Sequence, residues 1–148
     1  MRLDNKVALV TGAASGFGKG IAETFAREGA RVAVVDINAE AARQAAASIS
    51  NKAIAVRCDV SQRADVDASV KATVDAFGRI DILVNNAGMS HLRRPMLEVE
   101  EAEFDRLMAV NLKSIFLFAH AVVPLMRNKS AASSSISARP PGSDRGRG

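Results

Sequence analysis

The amino-acid sequence predicts an α/β fold built on a doubly wound parallel sheet. Short runs rich in Val, Ile and Ala alternate with longer stretches whose apolar residues recur every three to four positions, the spacing of a helix. The short runs are apolar at nearly every position, which indicates strands buried on both faces. Strict alternation of strand and helix requires crossover connections, and these place helices on both faces of a parallel sheet.

Four strands are predicted, and they are VALVT (7–11), RVAVVD (31–36), AIAVRCDV (53–60) and IDILVNN (80–86). We expect the sheet order 3-2-1-4, with the later strands of a complete doubly wound sheet missing. No internal repeat is visible, so the strands belong to a single unit.

Helices are predicted over residues 16–29, 38–50, 61–78 and about 98–126. Asn38 and Ser61 are candidate N-caps, and Gly29 and Gly78 suit left-handed caps at the ends of the first and third helices. We expect the fourth helix to bend near Asn111 and to be loosened by its proline.

Composition indicates one domain in a reducing compartment. The chain has 148 residues, of which 48% are hydrophobic, enough for a sizeable core. Its single cysteine, Cys58, excludes an internal disulfide and a cysteine-based metal site, and we expect no metal. The sequence shows no signal-peptide pattern and no apolar run of about 20 residues, so we expect a cytoplasmic protein that does not bind membranes.

The net charge of +4 invites a nucleic-acid partner, but its distribution argues against one. Four of the 20 basic residues and one of the 16 acidic residues lie from Lys129 onward. The preceding part of the chain is therefore nearly neutral, and we expect no nucleic acid to bind it.

Residues 11–18, T-G-A-A-S-G-F-G, follow the first predicted strand and begin a helix. Gly12, Gly16 and Gly18 let the backbone turn sharply and approach a ligand, while N–H groups at the helix N-terminus point at an anion. A pyrophosphate would bind here. The spacing departs from the commoner Gly-x-Gly-x-x-Gly pattern, and a tight turn without a ligand is the open alternative.

Asp36 ends the second predicted strand, 18 positions after Gly18. An acid at this place hydrogen-bonds the ribose 2′-hydroxyl of NAD and repels the 2′-phosphate of NADP, so NAD is favoured as cofactor and NADP is less favoured. The alternative is that Asp36 only caps the turn that follows it.

Two further stretches lie at the carboxyl edge of the predicted sheet, C-D-V (58–60) and N-N-A-G (85–88). With T-G-A-A-S-G-F-G and Asp36, they resemble the short-chain dehydrogenase/reductase family over residues 3 to about 129. The resemblance implies a Rossmann-type NAD-binding domain over residues 1–129, in which the acid after strand three contacts adenine. The implied cofactor-binding residues are Gly12, Ser15, Gly16, Phe17, Gly18, Asp36, Ile37, Asp59, Val60, Asn86, Ala87 and Gly88.

In that family a hydride passes between a nicotinamide and an alcohol or ketone carbon, and an Asn-Ser-Tyr-Lys set manages the proton. The resemblance implies that Asn111 is the asparagine, which positions a water in the proton relay. Its alternative role is to bend the helix by local hydrogen bonding. The resemblance also implies a small-molecule alcohol or ketone substrate for the full-length relative and a homo-oligomer for intact members, which is doubtful for this chain.

The sequence contains no tyrosine, and the serine and Tyr-x-x-x-Lys of the family pattern are absent. General acid–base help worth roughly 10²–10⁴ in rate is then missing. His91 and His120 are poor substitutes. We therefore expect an inactive chain, the NAD-binding portion of an oxidoreductase, with a non-catalytic nucleotide-binding fragment or pseudo-enzyme as the alternative.

Residues 130–148, SAASSSISARPPGSDRGRG, interrupt this pattern where a fifth strand is expected. A shift of reading frame near Lys129–Ser130 would explain the change, because TCN serine codons displaced by one base become NTC codons for Phe, Leu, Ile or Val. A naturally disordered extension is the alternative, and it predicts weak contact of RGRG with RNA. In either case we expect no packed structure after about residue 130, and the coding DNA around codon 130 tests the frameshift.

Overall fold

A computed structural model of the chain describes residues 1–49, 52–91 and 93–137, with side chains as far as residue 128. Four parallel strands in this part of the chain form one sheet of order β3-β2-β1-β4, as predicted. The strands are β1 (Val7–Thr11), β2 (Arg31–Asp36), β3 (Ala53–Arg57) and β4 (Ile82–Val84).

The strand register brings the carboxyl ends of the strands to one edge of the sheet. Thr11 at the end of β1 pairs with Val35 of β2, and Asp36 of β2 pairs with Arg57 of β3. The first two strands have the predicted bounds, whereas β3 and β4 are shorter than predicted. At β3 the chain leaves the sheet after Cys58, whose N–H donates to the Asp36 carbonyl, and enters a tight turn.

Helices connect the strands and cover both faces of the sheet. They are α1 (Gly16–Arg27), α2 (Ala39–Ile49), α3 (Arg63–Phe77), α4 (Glu101–Met108) and α5 (Ser114–Ser137), with a 3₁₀ turn at Met96–Glu98. A π-helical turn, Ala109–Lys113, joins α4 to α5. The predicted fourth helix is therefore interrupted around Asn111, where a bend was expected.

Most of the predicted helix caps are confirmed. The Asn38 side-chain oxygen accepts a hydrogen bond of 3.0 Å from the Ala41 N–H at the start of α2. Gly29 and Gly78 follow α1 and α3 with φ of 97° and 80°, the left-handed region that favours glycine. The prediction for Ser61 is wrong, because α3 begins two residues later and the Ser61 hydroxyl donates instead to Asp59.

The core has two layers, one on each face of the sheet. Side chains alternate between the faces along β1 and β2, so both strands are buried throughout their centres. One layer packs the sheet against α3 and α5 and includes Leu9, Val35, Val66, Val70, Leu117, Phe118 and Val122. The other packs it against α1 and α2 and includes Val10, Val32, Val34, Ala22, Ala42 and Ala45.

Helix α5 continues to Ser137, past the predicted start of a disordered tail at residue 130. The stretch 125–137 contains neither glycine nor proline, so nothing in its composition ends the helix. The prediction of no packed structure after about residue 130 stays a prediction, because side chains are described only as far as residue 128 and residues 138–148 lie outside the described residues.

The segment Glu101–Asn128 meets the length and composition of a membrane span, with a mean hydropathy of 1.6 over its most apolar window. The expectation that no such stretch exists was wrong, because the polar residues of this helix are sparse after Lys113. A core helix has the same composition, and the inward side chains Leu117, Phe118 and Val122 are buried against the sheet.

Candidate cofactor site

A cavity of about 460 Å³ lies at the carboxyl edge of the sheet. Most of the predicted site residues line it, and these are Gly12, Ser15, Phe17, Asp36, Ile37, Asp59, Val60, Asn86, Ala87 and Gly88. Gly16, Gly18 and Asn111 do not line it. Four residues that the sequence analysis missed do, and these are Cys58, Met89, Arg106 and Val110.

The floor of the cavity is a glycine loop in which two positions, Gly12 and Gly18, have no room for a side chain. Gly12 has φ of 62°, and a Cβ there would lie 2.9 Å from the Ala87 Cα. A Cβ at Gly18 would collide with the Gly12 carbonyl oxygen and with the Asn86 amide nitrogen. Gly18 does not line the cavity but supports the loop, because the absence of a side chain lets α1 pack closely against the end of β1.

Helix α1 begins beside the cavity, with Ser15 as its N-cap in extended conformation. The Ser15 side chain makes no capping hydrogen bond, and the first helical turn leaves backbone N–H groups without intrahelical partners. Gly16 has a positive φ of 55°, which favours glycine, although a Cβ at this position would meet no atom within 4 Å. These N–H groups and the helix dipole fit an anion such as a pyrophosphate.

Asp36 ends β2 and joins two loops at the rim of the cavity. One carboxylate oxygen accepts a hydrogen bond of 3.1 Å from the Ala14 N–H in the glycine loop. The other accepts one of 3.0 Å from the Asn38 N–H, so Asp36 caps the turn that follows β2 as well as holding the glycine loop. Each carboxylate oxygen can accept a second hydrogen bond, which leaves capacity for a ribose hydroxyl.

Thr11 and Asn86 fasten the end of β4 to the end of β1. The Thr11 hydroxyl oxygen accepts hydrogen bonds from the N–H groups of Asn86 and Ala87, at 3.1 and 3.0 Å. The Asn86 side-chain amide donates to the carbonyl oxygens of Thr11 and Gly12, at 3.1 and 3.2 Å. Asn86 therefore supports the glycine loop as well as lining the cavity.

Asp59 follows β3 and remains a strong hydrogen-bond acceptor. The hydroxyl and the N–H of Ser61 donate to the same carboxylate oxygen, at 2.6 and 3.0 Å. The hydroxyl hydrogen bond lowers the pKa of Asp59 most, partial burial opposes it, and the positive charge of Arg106 adds to the lowering. The carboxylate is therefore ionised across the neutral range.

Cys58 supplies an apolar part of the cavity wall. Its side chain is buried, and burial raises the pKa of the thiol from 9.0 to about 11. A thiol with this pKa is protonated at neutral pH and is a poor nucleophile. Among the described residues, no cluster of His, Cys, Asp and Glu could hold a metal ion.

Asn111 lies in the π-helical turn and bonds to the loop after β4. Its side-chain oxygen accepts from the Met89 N–H and its amide donates to the Met89 carbonyl, both at 2.8 Å. Local hydrogen bonding within the helix, the alternative role, is therefore wrong. The side chain positions the loop that carries Gly88 and Met89 into the cavity wall.

The backbone cradle at Gly12 and Gly18, the helix N-terminus and the Asp36 carboxylate fit a dinucleotide. The four missed residues carried little signal in the sequence. Val110 and Arg106 lie four residues apart on one side of the helical segment, but Asn111, the residue that the sequence singled out there, does not line the cavity and so did not point to them.

The model of the short chain dehydrogenase family matches residues 6–136 of this sequence. The chain belongs to the short-chain dehydrogenase family. Membership supports three general features of this oxidoreductase family for the chain. They are the Rossmann-type topology, the oxidoreductase class and the binding of a nicotinamide nucleotide.

Named relatives agree with this membership. The chain is 47% identical to a sorbitol dehydrogenase from Cereibacter sphaeroides over 126 residues, covering 85% of this chain and 49% of that protein. It is 49% identical to a D-threitol dehydrogenase from Mycolicibacterium smegmatis over 124 residues, covering 82% and 47%. The chain thus spans about half the length of the curated relatives it matches.

A solved structure also matches the chain closely. A 3-ketoacyl-(acyl-carrier-protein) reductase from Brucella melitensis, complexed with NADH, superposes with a TM-score of 0.86 at 44% identity. The match covers 88% of this chain and 54% of that one. The bound NADH belongs to the reductase, and it supports a nicotinamide cofactor for the family member described here.

Proposed function

We propose that this chain is the NAD-binding part of a dehydrogenase that acts on alcohol or ketone groups. The observation that carries the proposal is the cavity bounded by the Gly12–Gly18 loop and the Asp36 carboxylate. NAD, when bound, supplies the hydride acceptor of such a reaction. The residues of this chain bind and orient it, with the loop N–H groups at the pyrophosphate and Asp36 at the ribose.

We propose NAD rather than NADP as the cofactor. A 2′-phosphate beside Asp36 would place two negative charges together, whereas a 2′-hydroxyl would donate a hydrogen bond to the carboxylate. Calorimetric titration should give a dissociation constant for NAD at least about tenfold below that for NADP, a difference of roughly 1.4 kcal/mol.

The variant Asp36→Ala tests this selectivity. We expect it to weaken NAD binding and to narrow the gap between the two cofactors, while Asp67→Ala on the exposed side of α3 changes neither. Thermal unfolding is measured in parallel, because Asp36 also holds Ala14. Tighter binding of NADP than of NAD by the unmodified chain would overturn the assignment.

A second candidate is a nucleotide-binding chain without catalytic activity. The observation that favours it is the absence of tyrosine from the 148 residues, since the family resemblance assigns the proton transfer to a tyrosine. Asn111, the predicted relay residue, uses its side chain to hold Met89. Its role in positioning a water in the proton relay stays a proposal.

Binding and turnover separate the two candidates. The purified chain is titrated with NADH and then incubated with NAD and a panel of secondary alcohols. Sorbitol, threitol and galactitol come first, because three relatives are named for these polyols. We expect binding without NADH production. Turnover at an ordinary enzymatic rate would show that the chain itself is the dehydrogenase.

A further inference from the structure

Arg106 is a charged side chain in the cavity wall that the proposed function does not use. It lies near the end of α4 and lines the same cavity as Asp59. Within the described part of the chain, no hydrogen bond or ion pair engages its guanidinium. Its neighbour on the same helix, Glu103, is paired with Arg94 at 2.8 Å.

The charges around the cavity are unequal. Asp36 and Asp59 both line it, and among its described lining residues Arg106 is the only cation. A dinucleotide adds two negative phosphates. Without Arg106, the ligand would enter a cavity whose fixed side-chain charges are all negative.

Arg106 lies at the Asp59 side of the cavity, because both residues line it and the positive charge of Arg106 is close enough to lower the pKa of the Asp59 carboxyl. The N-terminus of α1 would hold the pyrophosphate, and Asp36 would hold the ribose of the adenosine half. The adenine must then lie beyond that ribose, where Ile37, Asp59 and Val60 line the cavity. Val110 and Arg106 line the cavity from the helical side, one turn apart.

We propose that Arg106 binds the adenosine end of the cofactor, with its planar guanidinium against the adenine ring and its charge offsetting that of Asp59. The inference rests on the proposed function, because it takes the ligand to be an adenine dinucleotide. A guanidinium stacks on an aromatic face and carries its charge at any physiological pH. A lysine would keep the charge and lose the planar contact.

The test compares Arg106→Gln and Arg106→Lys with the unmodified chain in titrations of NAD, AMP and nicotinamide mononucleotide. We expect Arg106→Gln to raise the dissociation constants of NAD and AMP alike, by about threefold to thirtyfold. The dissociation constant of nicotinamide mononucleotide should not change. Arg106→Lys should restore only part of the loss. Because AMP and nicotinamide mononucleotide each carry one phosphate and one ribose, a difference between them places the contact in the adenosine half rather than at a phosphate in general.

The control is Arg94→Gln, which removes the same charge from the ion pair with Glu103, outside the cavity lining. It should change no affinity. Equal weakening of both mononucleotides would overturn the inference, as would unchanged AMP binding by Arg106→Gln. Failure of the unmodified chain to bind NAD and AMP would overturn the proposed function and this inference together, so the two failures are distinguishable. Thermal melts confirm that each variant is folded.

Discussion

Two regions of the molecule differ in how completely they are packed. The first contains β1, β2 and the glycine loop, where every residue of β1 is buried and Asp36, Thr11 and Asn86 fasten the loop by hydrogen bonds. The second contains β4 and the helices after it, where β4 is only half-buried and lies at the sheet edge. Large apolar side chains are exposed there, including Met108, Leu112, Ile115 and Phe116.

This difference in packing shows which part of the molecule shapes the cofactor cavity and which part leaves apolar surface exposed. The cofactor cavity draws its shape from the first region, where backbone groups are held by several independent contacts. The second region supplies part of the cavity wall through Met89 and Val110 but leaves an apolar surface uncovered. We therefore expect substitutions in the first region to alter both binding and stability, and outward substitutions in the second to alter neither.

The largest effect is expected at Gly18. A methyl group there would collide with the Gly12 carbonyl oxygen and the Asn86 side chain, so α1 must move away from β1. We expect Gly18→Ala to lower the free energy of unfolding by about 3 kcal/mol and to abolish NAD binding. Urea denaturation and calorimetric titration measure the two.

The matched control is Gly20→Ala, two residues further along α1. A Cβ at Gly20 meets nothing within 4 Å, and alanine favours a helix over glycine, so stability should rise by about 0.5–1 kcal/mol. Equal behaviour of the two alanine variants would mean that α1 does not pack against the loop as described.

The next effect concerns the link between the two regions. Asn86→Ala removes the amide that donates to the Thr11 and Gly12 carbonyl oxygens and leaves both without that partner. We expect a loss of roughly 1–3 kcal/mol in unfolding free energy, together with weaker NAD binding. Asn85→Ala, at the exposed neighbouring position, should change both by much less. An equal loss of unfolding free energy in the two variants would mean that the hydrogen bonds of the Asn86 amide do not hold the loop.

The sequence predicted the first region more accurately than the second. Continuous apolar runs identify buried parallel strands well, and β1 and β2 have the predicted bounds. β3 and β4 were predicted too long, because Cys58 after β3 and Ile80 before β4 are apolar and buried but lie outside the strands. Burial alone does not distinguish a strand from the chain that flanks it.

The candidate site was predictable where it follows strand ends and glycines. Asp36 and Asn86 lie where parallel strands end, and the topology brings those ends together. The bonds of Asn111 to Met89 were not predictable, because they depend on a π-helical turn and on the path of a loop. Arg106 was missed because nothing in its sequence neighbourhood marks it apart from other helical arginines.

A further effect is expected at high pH, from the Cys58 thiol in the cavity wall after β3. Burial raises the pKa of Cys58 from 9.0 to about 11, so the folded chain keeps a proton that the unfolded chain loses. Stability from this thiol is complete below pH 9 and declines between pH 9 and 11, by at most about 2.7 kcal/mol. Urea denaturation of the unmodified chain and of Cys58→Ala across that range measures it. The unfolding free energy of the variant should fall less between pH 9 and 11 than that of the unmodified chain. An equal fall in both would mean that the Cys58 thiol is exposed to solvent.

The smallest effect is expected on the exposed apolar face of the second region. Leu112 and Phe116 are each 58% exposed, so the double variant Leu112→Gln, Phe116→Gln should change the unfolding free energy by no more than about 0.5 kcal/mol. Leu117→Gln is the comparison, because that side chain is buried in the core and its replacement should cost several times more. Sedimentation velocity should show less self-association of the double variant, since two large outward apolar groups of α5 and the π-helical turn are gone. A cost above about 2 kcal/mol would mean that this face is packed within the fold, and the contrast between the two regions would then be lost.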